Sequence, residues 1–376
     1  MSAQSPRALG AVGTVIALAL LVLSLAFPLQ VAEASTLRWW QGGLPIATGL
    51  LLLAAAVYGL RPTPGIVRTG VLILLSALGA GLLLGLRPAD SGVTPGAAFW
   101  MATLAVALLA RAGVQRLADL DEPTWARSAT SLVFGAWLLF FWELLVTAFD
   151  VPRVLLPAPS HIVTALFEQA GTLAGDLVQT VLKSVVIGYL LGCGLGVGVA
   201  IAIDKLPFLQ RGLLPVASLS STIPLVGVAP IAVMWFGFDW PSKAAVIVLM
   251  TFFPALVNTL AGLESAGKLE RELMYSYAAG YKRTLLDLRL PAALPFIFNA
   301  LKVNSTMALI GAIVAEFFGS PTSGLGFRIS TEAARMNMPL VWSAIVVSAV
   351  VGSLFYALLV QIERRVTFWH PSVRSL

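Results

Sequence analysis

Charge is what this chain has least of. Only 11% of its 376 residues are Asp, Glu, Lys or Arg, while 58% are hydrophobic. With a mean hydropathy of +0.90, that composition excludes an ordinary soluble globular domain. The single cysteine, Cys193, excludes a disulfide within the chain, and its place in an apolar run argues against thiolate chemistry. The two histidines, His161 and His370, lack metal-ligand spacing. A nucleotide-cradling G-x-x-x-x-G-K-[ST] loop is also missing, because Leu269 follows the one Gly-Lys pair, Gly267-Lys268. The glycines from Gly188 to Gly196 make no G-x-G-x-x-G fingerprint either, since Val197, Val199 and Ile201 fall where a third glycine would stand. With no convergent nucleophile, base or metal ligands, the sequence does not read as an enzyme.

What remains is apolar sequence in lengths that cross a bilayer, each on the order of 20 residues as a helix. Ten such segments are predicted, approximately at 8–30, 44–60, 68–86, 96–111, 129–148, 178–202, 213–236, 243–262, 293–317 and 340–362. The first also reads as a signal peptide, with Arg7 ahead of it and Ala32-Glu33-Ala34 resembling a cleavage site. It is longer than the usual apolar region of such a signal, about 7–15 residues, which favours a retained helix. With the N-terminus inside, sixteen of the 24 lysines and arginines fall in cytoplasmic segments. The positive-inside rule then puts both termini in the cytoplasm, and the net charge of +6 needs no nucleic-acid partner to explain it.

The first four segments, within residues 1–115, are Leu, Ala and Val with almost no interior polar groups, and read as an accessory bundle. After the polar linker 111–128 the texture changes. Gly188, Gly192, Gly196 and Ala200 align small residues on one helix face, which reads first as tight packing. Pro207, Pro215, Pro224 and Pro230 oppose a straight helix. The stretch 215–230 therefore reads either as a kinked, pathway-lining segment or as a folding kink. Polar groups inside spans, namely Glu143, Asn258, Lys302, Asn304, Ser305, Thr306 and Glu316, cost about 2.5–3.5 kcal/mol each when ionisable and by default mark a pathway. Lys302, Ser305, Leu309 and Glu316 share one helix face. For Glu143, beside Phe140–Trp142, a bond to a neighbouring helix is the competing reading.

The densest charge lies in one loop, residues 264–292. Leu273, Met274, Tyr277 and Tyr281 are interleaved there at helical spacing, so a short amphipathic helix is predicted with no core of its own to bury its apolar stripe. Such a helix needs a partner. The stretch "ELMYSYAAGYKRTLLDLRLPAALP" (272–295) resembles the cytoplasmic E-A-A-x3-G-x9-I-x-L-P loop of permease subunits in binding-protein-dependent ABC importers. Counted back from Leu290-Pro291, Glu272 takes the glutamate position, Leu273 and Met274 the alanine pair, Ala278 the glycine and Leu288 the isoleucine, while Ala279 and a glycine, Gly280, follow. "STIPLVGVAPIAVMWFGF", "ALIGAIVAEFFGS" and the tail "TFWHPS" extend the resemblance over 129–376. It is nearest in kind to the nitrate/sulfonate/taurine-type group, and within it to permeases for thiamine-pyrimidine and riboflavin-type compounds.

That resemblance implies an all-α polytopic membrane protein of the bacterial inner membrane. A six-helix type I importer core (128–366) would follow about four extra helices. The chain itself would hold no cofactor. ATP and Mg would be used by a separate ATPase, present in two copies and gripping the loop through Glu272 to Gly280 and the Leu290-Pro291 joint. A second permease copy, as a homodimer, would complete the pathway, and an extracytoplasmic binding protein would deliver the solute. Trp142, Glu143, Pro224, Asn258, Asn304, Ser305, Glu316 and Phe317 are the pathway candidates, with Phe318 beside them. They suit a small heteroaromatic solute; sulfonate, taurine or nitrate is the alternative, and a proton-coupled secondary transporter is the alternative of another class.

Overall fold

The computed structural model describes residues 6–32, 35–61, 65–87, 93–120, 124–205, 208, 212, 224–319 and 322–369. Glu33 and Ala34 of the candidate cleavage site, Pro207, Pro215 with the rest of 213–223, and the tail from His370 lie outside the described residues. Apart from three two-residue strands, the regular structure described is helical. Contacts divide the chain into two compact units, Met1–Ser160 and His161–Leu376.

The first unit runs α1 (Pro6–Ser24), β1 (Gln30–Val31), β2 (Thr36–Leu37), α2 (Gly43–Gly59), α3 (Ile66–Gly85), β3 (Thr94–Pro95), α4 (Ala97–Ala118) and α5 (Thr124–Ala148). The strands pair antiparallel in the order β2-β1-β3, with Val31 opposite both Thr36 and Thr94. Leu21, Leu52, Leu72, Phe99 and Leu109 form one buried core with Trp137 and Leu144 of α5. By packing, α5 thus shares the core of α1–α4, although the change of sequence texture falls ahead of it. Arg116 donates to the Gly59 carbonyl at the end of α2, giving that helix terminus a charged partner.

In chain order α6 (Pro159–Glu168) follows, then α7 (Ala170–Leu177), which passes through a π-helical stretch, Val178–Val185, into α8 (Val186–Ile203). After it come α9 (Leu225–Phe236), α10 (Trp240–Glu264), α11 (Lys268–Ser276), α12 (Tyr281–Thr284) with a π turn at Leu285–Arg289, α13 (Leu290–Gly319), α14 (Leu325–Ala334) and α15 (Met338–Val366). Seven helical stretches among the described residues are long and apolar enough to cross a membrane, and three shorter apolar helices, Val12–Ser24, Gly43–Gly59 and Gly227–Phe236, stand at the remaining predicted segments.

Helices α8, α10 and α13 form the packed heart of the second unit, around Val185, Tyr189, Ile247, Ala255 and Ala308. The glycine stripe makes their approach possible. A Cβ on Gly192 would stand 2.0 Å from Thr251 Oγ1, and one on Gly196 would stand 2.5 Å from the Phe252 carbonyl. Small residues let the α8 and α10 backbones meet where lipid tails provide no net hydrophobic drive. The packing reading of that stripe is the one its geometry supports.

Candidate coupling loop and buried polar clusters

Between α10 and α13 lie 25 residues that carry the charged loop, and α11 is its first element. Its helix starts at Lys268, with Glu270 in the first turn where the helix dipole favours an acid. Among the described residues, none of α11 is buried: Leu273 is 56% and Tyr277 78% exposed. Met274 is half-buried, and Glu272, Ala278 and Gly280 are exposed.

The helix does not continue to Tyr281 as the apolar spacing predicts. It ends in a Schellman turn: the Ala279 N–H donates to the Met274 carbonyl at 3.0 Å and the Ala278 N–H to Tyr275 at 2.9 Å. Ala278 sits in the left-handed region, φ +50°. That is the residue placed at the glycine of the loop motif, and glycine is what such a backbone prefers. Gly280, two residues later, has φ −68° and makes no such demand.

Past the turn the loop is pinned to the end of α8. Arg289 grips Asp204 with a fork, Nη1 to Oδ2 at 2.6 Å and Nη2 to Oδ1 at 2.7 Å, while its Nε donates to the Leu263 carbonyl of α10. The Tyr281 hydroxyl donates to the same Asp204 at 2.8 Å, and the Lys205 ammonium lies 4.6 Å over the Tyr281 ring. The Arg289 guanidinium therefore joins α8, α10 and the loop, with the Asp204 carboxylate as its partner on α8. Sequence reasoning missed it, although a signal existed: an acid at a helix C-terminus opposes the dipole and calls for a cation. Leu290 and Pro291, both half-buried, follow the π turn without a break, since Tyr281–Gly319 runs as one helical stretch.

Glu316, near the far end of α13, is 1% exposed and belongs to a cluster that sequence reasoning found only in part. Thr180 Oγ1 donates to it at 2.8 Å and the Gly326 N–H at 2.7 Å. Thr180 also accepts from the Leu325 N–H, and Asp176 accepts from the Gly324 N–H, both at 2.8 Å. Three successive N–H groups at the start of α14 are thus satisfied by side chains of α7, the π-helical stretch and α13, as a buried helix start requires. Arg328 donates to Asp176 at 2.7 Å, and Glu332 takes Arg335 and Asn337. Gly324, φ +131°, is needed twice over, because a Cβ there would meet the Glu316 carboxyl at 2.6 Å. Lys243, equally buried, donates to the carbonyls of Phe238 and Gly319 and, at 3.1 Å, of Asp239. The Trp240 N–H, with Gln179 beside it, holds the Asp239 carboxyl below the usual range. That cap stabilises at neutral pH and is lost as the pH falls through its depressed value.

The other pathway candidates do not converge. Asn304 is buried between helices, donating to the Thr251 carbonyl at 2.7 Å and to Cys193 Sγ at 3.3 Å. Ser305 bonds the Lys302 carbonyl, and Asn258 the Pro254 carbonyl, each at one turn's reach on its own helix. Lys302 pairs with Glu363 at 2.7 Å. Phe317, Phe318 and Pro224 are exposed. Trp142 and Glu143 belong to the first unit, where the Glu143 carboxylate accepts from the Ser160 N–H at 2.9 Å and its hydroxyl at 2.8 Å, and Arg87 lies 3.8 Å away. The helix-bonding reading of Glu143 fits this geometry.

Residues 194–368 match the family described as binding-protein-dependent transport system inner membrane component. The chain is 31% identical over 237 residues to the formylaminopyrimidine transport permease protein of Halalkalibacterium halodurans, covering 63% of this chain and 94% of the relative. It is 33% identical to the riboflavin transport system permease protein of Chloroflexus aurantiacus (62% and 88%). A putative aliphatic sulfonates transport permease protein of Bacillus subtilis is 30% identical (64% and 87%). The match takes in α10, the charged loop and α13. The chain belongs to the binding-protein-dependent transport system inner membrane components, as a permease subunit of an ABC importer of the nitrate/sulfonate/taurine type.

Proposed function

We propose that this permease moves a small heteroaromatic solute, of pyrimidine or flavin type, inward across a bacterial inner membrane, and that α11 is the handle by which a separate ATPase drives it. The observation that carries the reading is the exposed Leu273–Tyr277 edge on a helix with no core of its own, closed by a left-handed residue where the family loop has glycine. Two ATPases would sit under two copies of the chain, with both termini in the cytoplasm. Closure of the ATPases would pull α11, and the Asp204–Arg289 fork would pass that pull to α8 and α10. The solute would arrive on a binding protein from the far side.

The solute class is drawn from the relatives named for formylaminopyrimidine and riboflavin. The sulfonate reading gains from the Bacillus relative. It loses because Lys302, a cation within a predicted span, is paired with Glu363, and the buried Lys243 is bonded to the carbonyls of Phe238, Asp239 and Gly319. A proton-coupled carrier would need a carboxylate able to shed its partners; Glu316 and Glu143 are both tied to backbone N–H groups as helix anchors.

The test is co-purification. Leu273→Glu with Tyr277→Glu should abolish ATPase recovery while the chain still inserts and elutes as a folded species; undiminished recovery would overturn the docking role. Purifying the assembly with its natural binding protein, and identifying by mass spectrometry what that protein retains, separates the two solute classes.

A further inference from the structure

Helix α15 is 29 residues long, about 43 Å at 1.5 Å per residue, and so outruns a hydrocarbon layer of about 30 Å. One side of it is committed to packing. Leu340 and Ala344 meet Leu173 and Leu325, and Leu359 joins the core of α8, α10 and α13. The other side carries an exposed apolar stripe, Leu354, Leu358 and Ile362, at helical spacing. Three residues beyond Ile362 on that face comes Arg365, with Arg364 beside it in the last turn, and both are exposed. Among the described residues neither arginine has an ion-pair or hydrogen-bond partner for its side chain. The acid of the same turn, Glu363, is closed on Lys302 at 2.7 Å and does not neutralise them. Phe368 and Trp369, also exposed, follow as an edge-to-face pair with ring centroids 5.1 Å apart.

We propose that this end of α15 binds an anionic glycerophospholipid, its phosphate on Arg364 and Arg365 and an acyl chain along the stripe below them. From Leu354 to Arg365 the stripe measures about 16 Å, half the hydrocarbon layer and so the depth of one leaflet. A guanidinium fork matches a phosphate, and aromatic rings collect at the headgroup level. Apolar stripe, cation pair and ring pair therefore succeed one another in the order in which a phospholipid presents chain and headgroup. A soluble protein can reach the arginines but not the stripe, which lies within the layer. Two unneutralised positive charges favour an anionic headgroup over a zwitterionic one, each on the order of fivefold. The lipid would fix the depth of α15 in its leaflet, a role separate from the coupling loop and from the solute.

The experiment uses the full chain in nanodiscs holding phosphatidylcholine and phosphatidylglycerol in equal parts, one or the other brominated on its acyl chains. The signal is the Trp369 contribution to fluorescence, read as the difference between each protein and its Trp369→Phe version. Quenching by the two brominated lipids should give a phosphatidylglycerol excess around Trp369 of at least about fivefold, falling to near parity in Arg364→Gln with Arg365→Gln. In the wild type, raising the ionic strength from about 0.05 to 0.5 M should lower that excess, because exposed charges are screened. Equal quenching by the two lipids in the wild type, or an excess indifferent to salt, would overturn the proposal. So would an excess that survives the double substitution; if ATPase recovery failed in that same variant, the arginines would belong to a protein partner instead.

Discussion

Ala278 shows how a single backbone angle carries information that a motif comparison leaves ambiguous. By residue type the loop departs from its family pattern at this position, and Gly280 looks like the displaced glycine. The left-handed φ falls on Ala278, the position counted as the motif's glycine, where a residue without a Cβ is the one favoured. A non-glycine residue there costs on the order of 1 kcal/mol. Ala278→Gly should therefore slow amide exchange at the end of α11 about fivefold, measured by hydrogen exchange in detergent; faster exchange would contradict the assigned strain. Glu316 teaches the opposite lesson. An ionisable residue within a span reads as a pathway marker, yet its oxygens are taken by Thr180 and the Gly326 N–H. Nothing local in the sequence distinguishes a pathway carboxylate from a helix anchor, because the partners lie 136 and 10 residues away.

Among elements, the loop is best understood as a short helix on a stiff mount. α11 exposes its apolar edge, and the turn after it is fastened through Arg289 and Tyr281 to Asp204 at the end of α8. The fork is mostly buried, with Asp204 8% and Arg289 15% exposed, and removing one partner of such a pair strands the other. Asp204→Asn should speed amide exchange across 277–290 at least about tenfold while leaving α15 protected, and the exchange of charges in Asp204→Arg with Arg289→Asp should restore part of that protection. Uniform loosening of both regions would show a general packing defect instead of a mount. The amphipathic period of the loop was legible in the sequence. Its division into two helices was not, because the break is a capping turn made by alanines and the next tyrosine is drawn off by a residue 77 positions earlier.

For the whole molecule, the count of cations predicts a cytoplasmic loop, and that expectation can be tested without any partner. Tyr275 is 86% exposed and Cys193 is buried, so Tyr275→Cys offers one reactive thiol. An impermeant maleimide should label it in inside-out vesicles and spare it in right-side-out ones; the reverse pattern would place the loop on the wrong face for an ATPase. What the sequence determined by itself was the environment and the periodicity: apolar runs fix where the long helices lie, scarce and clustered charge fixes the exposed loop, and small residues four apart fix which helix faces approach. Those are properties of local composition. Which polar residues are anchors and which are available was decided only by the tertiary structure. Asp176, Thr180 and Glu316 cap one helix start, Asp204 clamps Arg289, and Lys302 closes on Glu363. In a low-dielectric slab a polar group is defined by the partner that satisfies it, and those partners are distant in the chain.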